Sequence, residues 1–124
     1  LISGDDSLTL PVLAIGGTGV ISVVANLVPQ DTAALVRAFD EGDLAQARTW
    51  HDRLLPLTRA MFLETNPIPV KTAMGMLGMI SPELRLPMCA ISEANEERVR
   101  AELKAYGLLG KAGRGNGRRT KARR

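Results

Sequence analysis

The 124-residue chain contains one cysteine, Cys89, so no disulfide can close within it, and this usage fits a reducing cytoplasm. Cys89 itself reads as a small buried residue. No apolar run reaches membrane-spanning length, because Pro29, Asp31, Arg37 and Asp40 interrupt the longest candidate. Residues 1–6, LISGDD, hold neither a basic n-region nor a long apolar h-region and do not read as a signal peptide. Acid is missing altogether from residues 111–124, which carry seven Lys/Arg and a charge of +7. Residues 1–110 hold nine Lys/Arg against thirteen Asp/Glu, a balance of −4. The pI of about 9.5 is therefore set by the tail, while the body is mildly acidic. Such a tail attracts phosphate backbones and anionic surfaces. It has no aromatic side chain on which a base could stack. A disordered, solvated appendage over 110–124 is the expectation, rather than a nucleic-acid contact.

Against these absences stand 45% hydrophobic residues and a mean hydropathy of +0.02, enough to bury a core in one domain. The most informative stretch is GGTGVISVVAN at 16–26. Three glycines permit positive φ and close backbone approach. They lead into Val20, Ile21, Ser22, Val23 and Val24, a β-branched run suited to a strand covered on both faces. Residues 1–6 read as the end of another apolar strand running into an acidic loop, which predicts a further portion upstream. Asp6 or Ser7 can cap a short helix through Leu8, Leu10, Val12 and Leu13, giving the spacing of a compact α/β crossover.

Beyond Asn26 the pattern is helical. Asp31 is placed as a cap for a helix bearing Leu35, Val36 and Phe39, ended by Gly42. Asp43 caps the next, with Leu44, Ala47, His51, Leu54 and Leu55 at three- and four-residue spacing. Pro56 predicts a kink or break in it. Asn66 suits an N-cap and Pro67 a first helical position, followed by Val70, Ala73, Met74 and Leu77, with Gly78 as the stop. An extended stretch over 84–88 leads to a last helix, capped by Ser92, with Glu93, Glu96 and Glu97 at its positive end. Val99, Leu103 and Tyr106 form its buried stripe and Gly107 ends it.

Taken together, SGDD at 3–6, GGTGVISVVAN at 16–26, NPIPVK at 66–71 and LRLPM at 84–88 resemble the C-terminal part of the 4-hydroxy-tetrahydrodipicolinate synthase (dihydrodipicolinate synthase) family. That family lies within the N-acetylneuraminate lyase/class I aldolase superfamily. The similarity spans about residues 1–109. It implies an α/β fold: the last strands of a TIM (β/α)₈ barrel over 1–26, then a mostly helical C-terminal extension over 27–109. It implies a lyase of the diaminopimelate route to lysine, condensing pyruvate with aspartate 4-semialdehyde through a Schiff base, with no metal or organic cofactor. It also implies a cytoplasmic homotetramer with no membrane partner. Two positions carry over as substrate contacts: Ile21, mainly through its backbone, and Gly4 at the mouth of the preceding strand.

A complete barrel takes about 250 residues, and by the family pattern the Schiff-base lysine and proton-relay residues lie upstream of residue 1. No catalytic residue is therefore assigned within the chain, which is expected to be inactive alone. Lys71 falls on a helix of the extension and is not given that role. The adjacent Asp5 and Asp6 read as a solvated helix cap rather than an acid/base pair, and His51 as a packing or surface residue. Met74, Met76 and Met79 read as helical core or subunit interface rather than a metal site. A reading of another class is a non-catalytic helical interaction module whose basic tail binds nucleic acid.

Overall fold

Residues 1–110 are described by the structure, a computed structural model; the basic run expected to be a solvated tail lies outside them from Lys111 onward. Five helices carry the fold: α1 (Thr9–Ala14), α2 (Pro29–Asp40), α3 (Leu44–Met61), α4 (Ile68–Met76) and α5 (Glu93–Tyr106). Short 3-10 turns at Asp6–Leu8 and Val24–Asn26 flank α1 and precede α2. The packed pair α2–α3 is the frame, and α5 lies against α3 and α4. None of these helices is long and apolar enough to cross a membrane.

The amphipathic spacing of α3 buries Ala47, Leu54, Leu57, Thr58, Ala60 and Met61. Its N-cap is Asp43, whose carboxylate accepts from the Gln46 amide at 2.9 Å, as the spacing predicts. Pro56 does not break it: the helix runs through to Met61. One ladder hydrogen bond is lost there, but Leu54, Leu57 and Thr58 around it are all buried, and that packing holds the turn. On α5, Gly107 adopts φ +93°. The Leu108 amide then reaches the Leu103 carbonyl and the Gly107 amide the Lys104 carbonyl, a Schellman stop.

Several expectations about element ends need correction. The turn after Gly4 is capped by Asp5, whose carboxylate accepts from the Ser7 amide at 2.7 Å, not by Asp6 or Ser7. Asp31 does not cap α2; Pro29 opens that helix, and the Asp31 carboxylate is taken by Tyr106 and Arg53. Helix α4 begins at Ile68, with Pro67 at the N-cap and Pro69 in the first turn. Pro67 stands just before the first helical residue and Pro69 is the second, positions whose missing N–H groups have no partner within the helix. Cys89 is exposed, because residues 81–91 cross the surface without helix or strand to cover it.

The largest correction concerns Val20 to Val24. Among the described residues there is no named strand, only an isolated parallel bridge between Ser3 and Val20. Ile21, expected to be covered, is 76% exposed. By Val23 the backbone is already helical (φ −75°, ψ −43°). The cause is hydrogen bonding that outweighs β-branching. Asp6 accepts from the Val23 amide at 2.9 Å and the Ser22 hydroxyl accepts from the Ala25 amide at 2.8 Å. Together they cap the turn from which α2 departs.

One core unites these parts. Leu13 and Val24 pack in the same buried cluster as Leu35, Leu54, Leu57, Met61, Val70, Val99 and Leu103. Among the described residues the fold is thus helices around one core, with the α/β character reduced to a single parallel bridge.

Candidate functional site

Residues 1–3 and 18–21 run side by side in parallel register. The Thr18 amide donates to the Leu1 carbonyl at 2.9 Å, Ser3 to Gly19 at 2.9 Å and Ile21 to Ser3 at 2.8 Å. Gly4 and Ile21 are each the residue after the bridged pair, so the structure brings both candidate contacts to one end of the paired segments. Gly4 is exposed, and a Cβ built on it meets nothing within 4 Å. This end is open to solvent.

The two loops that shape it are held by side chains of the SGDD motif. Ser3 Oγ donates to the Asp5 carbonyl at 2.7 Å, and Asp5 Oδ1 accepts from the Ser7 hydroxyl at 2.6 Å. The Ser7 hydroxyl above all, helped by the Ser7 and Leu8 amides, holds the Asp5 carboxyl below its ordinary range against the opposing effect of burial. Asp6 turns the other way and binds the hydroxyl of Ser22 and the amide of Val23. The acid pair therefore does structural work, as the cap reading expects. Its reach across to Ser22 was not foreseen; a hydroxyl closing a β-branched run is the signal that could have suggested it.

Of the three glycines only Gly16 takes the positive φ expected of them, and what they approach also differs. Gly16 has φ +94°, which only glycine adopts readily. A Cβ on Gly17 would sit 2.5 Å from Val12 Cγ1 and 2.6 Å from the Val12 carbonyl oxygen. The close neighbour is the chain's own α1. A cavity of about 560 Å³ opens on the other side of Val20, walled by Gly19, Ser22, Ala33, Val36 and Arg37 among others. Neither Gly4 nor Ile21 lines it.

Lys71 lies elsewhere. It projects from α4 to donate to the backbone carbonyl of Glu83, in surroundings drawn from residues 81–85. His51 is half-buried on α3, in keeping with a packing role. Met74 and Met76 pack against the core, whereas Met79 is 52% exposed.

Two polar clusters that the sequence reading passed over fix α5. Glu64 Oε1 accepts from the Ser92 hydroxyl (2.7 Å), the Asn95 side-chain amide (2.9 Å) and the Ser92 backbone amide (3.0 Å). Ser92 stands at the N-cap as predicted, but its hydroxyl serves Glu64 instead of the helix. At the other end, the Tyr106 hydroxyl donates to Asp31 Oδ2 at 2.6 Å. Arg53 lies 5.0 Å from the Tyr106 ring centre and 5.2 Å from that of Trp50, and 3.7 Å from Asp31. Burial, and then the Asp31 carboxylate, push the Tyr106 phenol well above its ordinary range.

The profile of the Dihydrodipicolinate synthetase family matches residues 1–106. The chain belongs to that family. Among curated relatives, 4-hydroxy-tetrahydrodipicolinate synthase of Endomicrobium trichonymphae is 56% identical over 109 residues, covering 88% of this chain and 38% of that protein. The enzyme of the same name from Thermomicrobium roseum is 56% identical over 103 residues, 83% of this chain and 34% of that one. The dihydrodipicolinate synthase structure from Aquifex aeolicus superposes with a TM-score of 0.85 at 52% identity, covering 86% of this chain and 36% of that one. A structure described as a monomeric dihydrodipicolinate synthase variant superposes at 0.84 with 47% identity, covering 86% and 36%. This dihydrodipicolinate synthetase family member thus spans well under half the length of the relatives it matches.

Proposed function

We propose that the chain is the C-terminal part of a 4-hydroxy-tetrahydrodipicolinate synthase, a lyase that condenses pyruvate with aspartate 4-semialdehyde through a Schiff base. In this reading residues 1–26 complete the barrel wall and residues 27–109 form the helical extension. Gly4 and Ile21 line the pyruvate site, and the parent enzyme assembles as a cytoplasmic homotetramer. The observation that carries the reading is 56% identity over 109 residues to an enzyme of that name, with SGDD, GGTGVISVVAN, NPIPVK and LRLPM all present in order. The parallel register that sets Gly4 beside Ile21 at one open end supports their shared role. That end is the C-terminal end of both paired segments, the face on which barrel enzymes build their sites.

The nucleophilic lysine belongs, on this reading, to sequence preceding residue 1. A Schiff-base lysine works as a neutral amine made available by burial. Lys71 offers the opposite setting, a partly exposed ammonium donating to a backbone carbonyl. Incubating the chain with pyruvate and borohydride, then mapping adducts by mass spectrometry, is expected to show none. A pyruvyl adduct on Lys71 would overturn the assignment. Coding sequence adjoining residue 1 is expected to supply the remaining strands and a lysine on one of them; an adjoining frame without these would sink the proposal.

A further inference from the structure

The connection between α4 and α5 forms a cationic recess that the proposed reaction does not use. Residues 81–85 loop back over α4 and are fastened there by Lys71, whose ammonium donates to the Glu83 carbonyl. The resulting cavity, about 470 Å³, is lined by Lys71, Ser81, Glu83, Leu84 and Arg85. Both cations in its wall lack a carboxylate partner within 4.0 Å among the described residues, where the ion pairs are Arg53–Asp31 and Arg100–Glu96. Glu83 meets Lys71 through its backbone oxygen, and no ion pair joins its carboxylate to either cation, so the wall holds two cations against one carboxylate.

Chemically, the wall offers donors in excess of acceptors. An ammonium has three N–H groups, and the Glu83 carbonyl uses one of Lys71's. Arg85 adds a planar fork suited to two oxygens of one anion, and Ser81 adds a hydroxyl. A body whose net charge is −4 repels anions in general, so a recess whose wall holds two cations and one carboxylate stands out locally. We propose that this recess binds a small anion bearing a phosphate or carboxylate group, gripped between Lys71 and Arg85.

The test is a titration of the ¹⁵N-labelled 124-residue chain with inorganic phosphate and, separately, with succinate, at constant ionic strength. Site resolution matters because residues 111–124 carry +7 and attract anions diffusely. Saturable shifts at the Ser81, Glu83, Leu84 and Arg85 amides are expected with at least one probe, and the probe that saturates identifies the group recognised. Arg85→Gln leaves the Lys71–Glu83 fastening intact and should weaken that binding about tenfold. Lys71→Arg keeps the charge and should retain it, while Lys71→Met should abolish it. Shifts that stay linear with both probes, or saturable binding unchanged in Arg85→Gln, would overturn the proposal.

Discussion

Glu64 holds three donors of the first turn of α5 from outside that helix, and the Asn95 amide, then the Ser92 hydroxyl and amide, keep its carboxyl below the ordinary 4.5. A carboxyl depressed in the fold adds stability above its unfolded pKa and loses it as pH falls through the folded one. The melting temperature should therefore fall as pH drops below about 4.5, and Glu64→Gln should flatten that decline while lowering the neutral-pH value. Thermal melts from pH 3 to 7 check both. Tyr106 runs in the reverse sense. Its phenol is held neutral, so its contribution is complete below the unfolded value of 10.0 and is lost as pH rises beyond it. Tyrosinate absorbance should stay absent through pH 10–11 while the chain is folded. Tyr106→Phe removes one bond to a partly exposed carboxylate and should cost about 1 kcal/mol by denaturant unfolding. Gly17→Ala should cost more, because its Cβ would overlap the Val12 backbone. Failure to see a loss would mean α1 can shift away.

Helices were legible at this scale because their periodicity and stops are local: Asp43, Gly42, Gly78 and Gly107 all stand where the sequence places them. The pair of candidate contacts was legible only through family motifs, and the bridge register then set them together. What could not be read was long-range. Asp6 bonds residues sixteen and seventeen positions away, and Glu64 residues twenty-eight and thirty-one away. No periodicity announces such partners, and β-branching at 20–24 pointed to a strand where caps impose a turn. Two predictions belong here. With one edge of residues 18–21 unpaired among the described residues, amides at 16–26 should exchange faster than those at 43–63; equal protection would mean that something else completes the pairing. Pro56 is exposed within α3, so Pro56→Ala restores a ladder hydrogen bond and should stabilise by about 1 kcal/mol, less than proline's full helix penalty because the unfolded chain also gains freedom. Chemical denaturation reads it directly.

Considered whole, the chain has a closed helical interior and an open apolar flank. Leu1 (71%), Ile2 (56%), Ile15 (76%) and Ile21 (76%) are exposed around the paired segments. Such surface favours association, so sedimentation should show self-association rising with concentration, and Ile15→Lys combined with Ile2→Lys should reduce it. The shared core has a consequence for anyone cutting or splicing this fold. The proposed join between barrel wall and extension, after Asn26, is not a linker. It runs through packed interior, since Leu13 and Val24 on one side touch the cluster that holds Leu57, Val99 and Leu103 on the other. Exchanging extensions between family members at that join would mate two surfaces that never matched, and the first casualty would be the turn that presents Ile21.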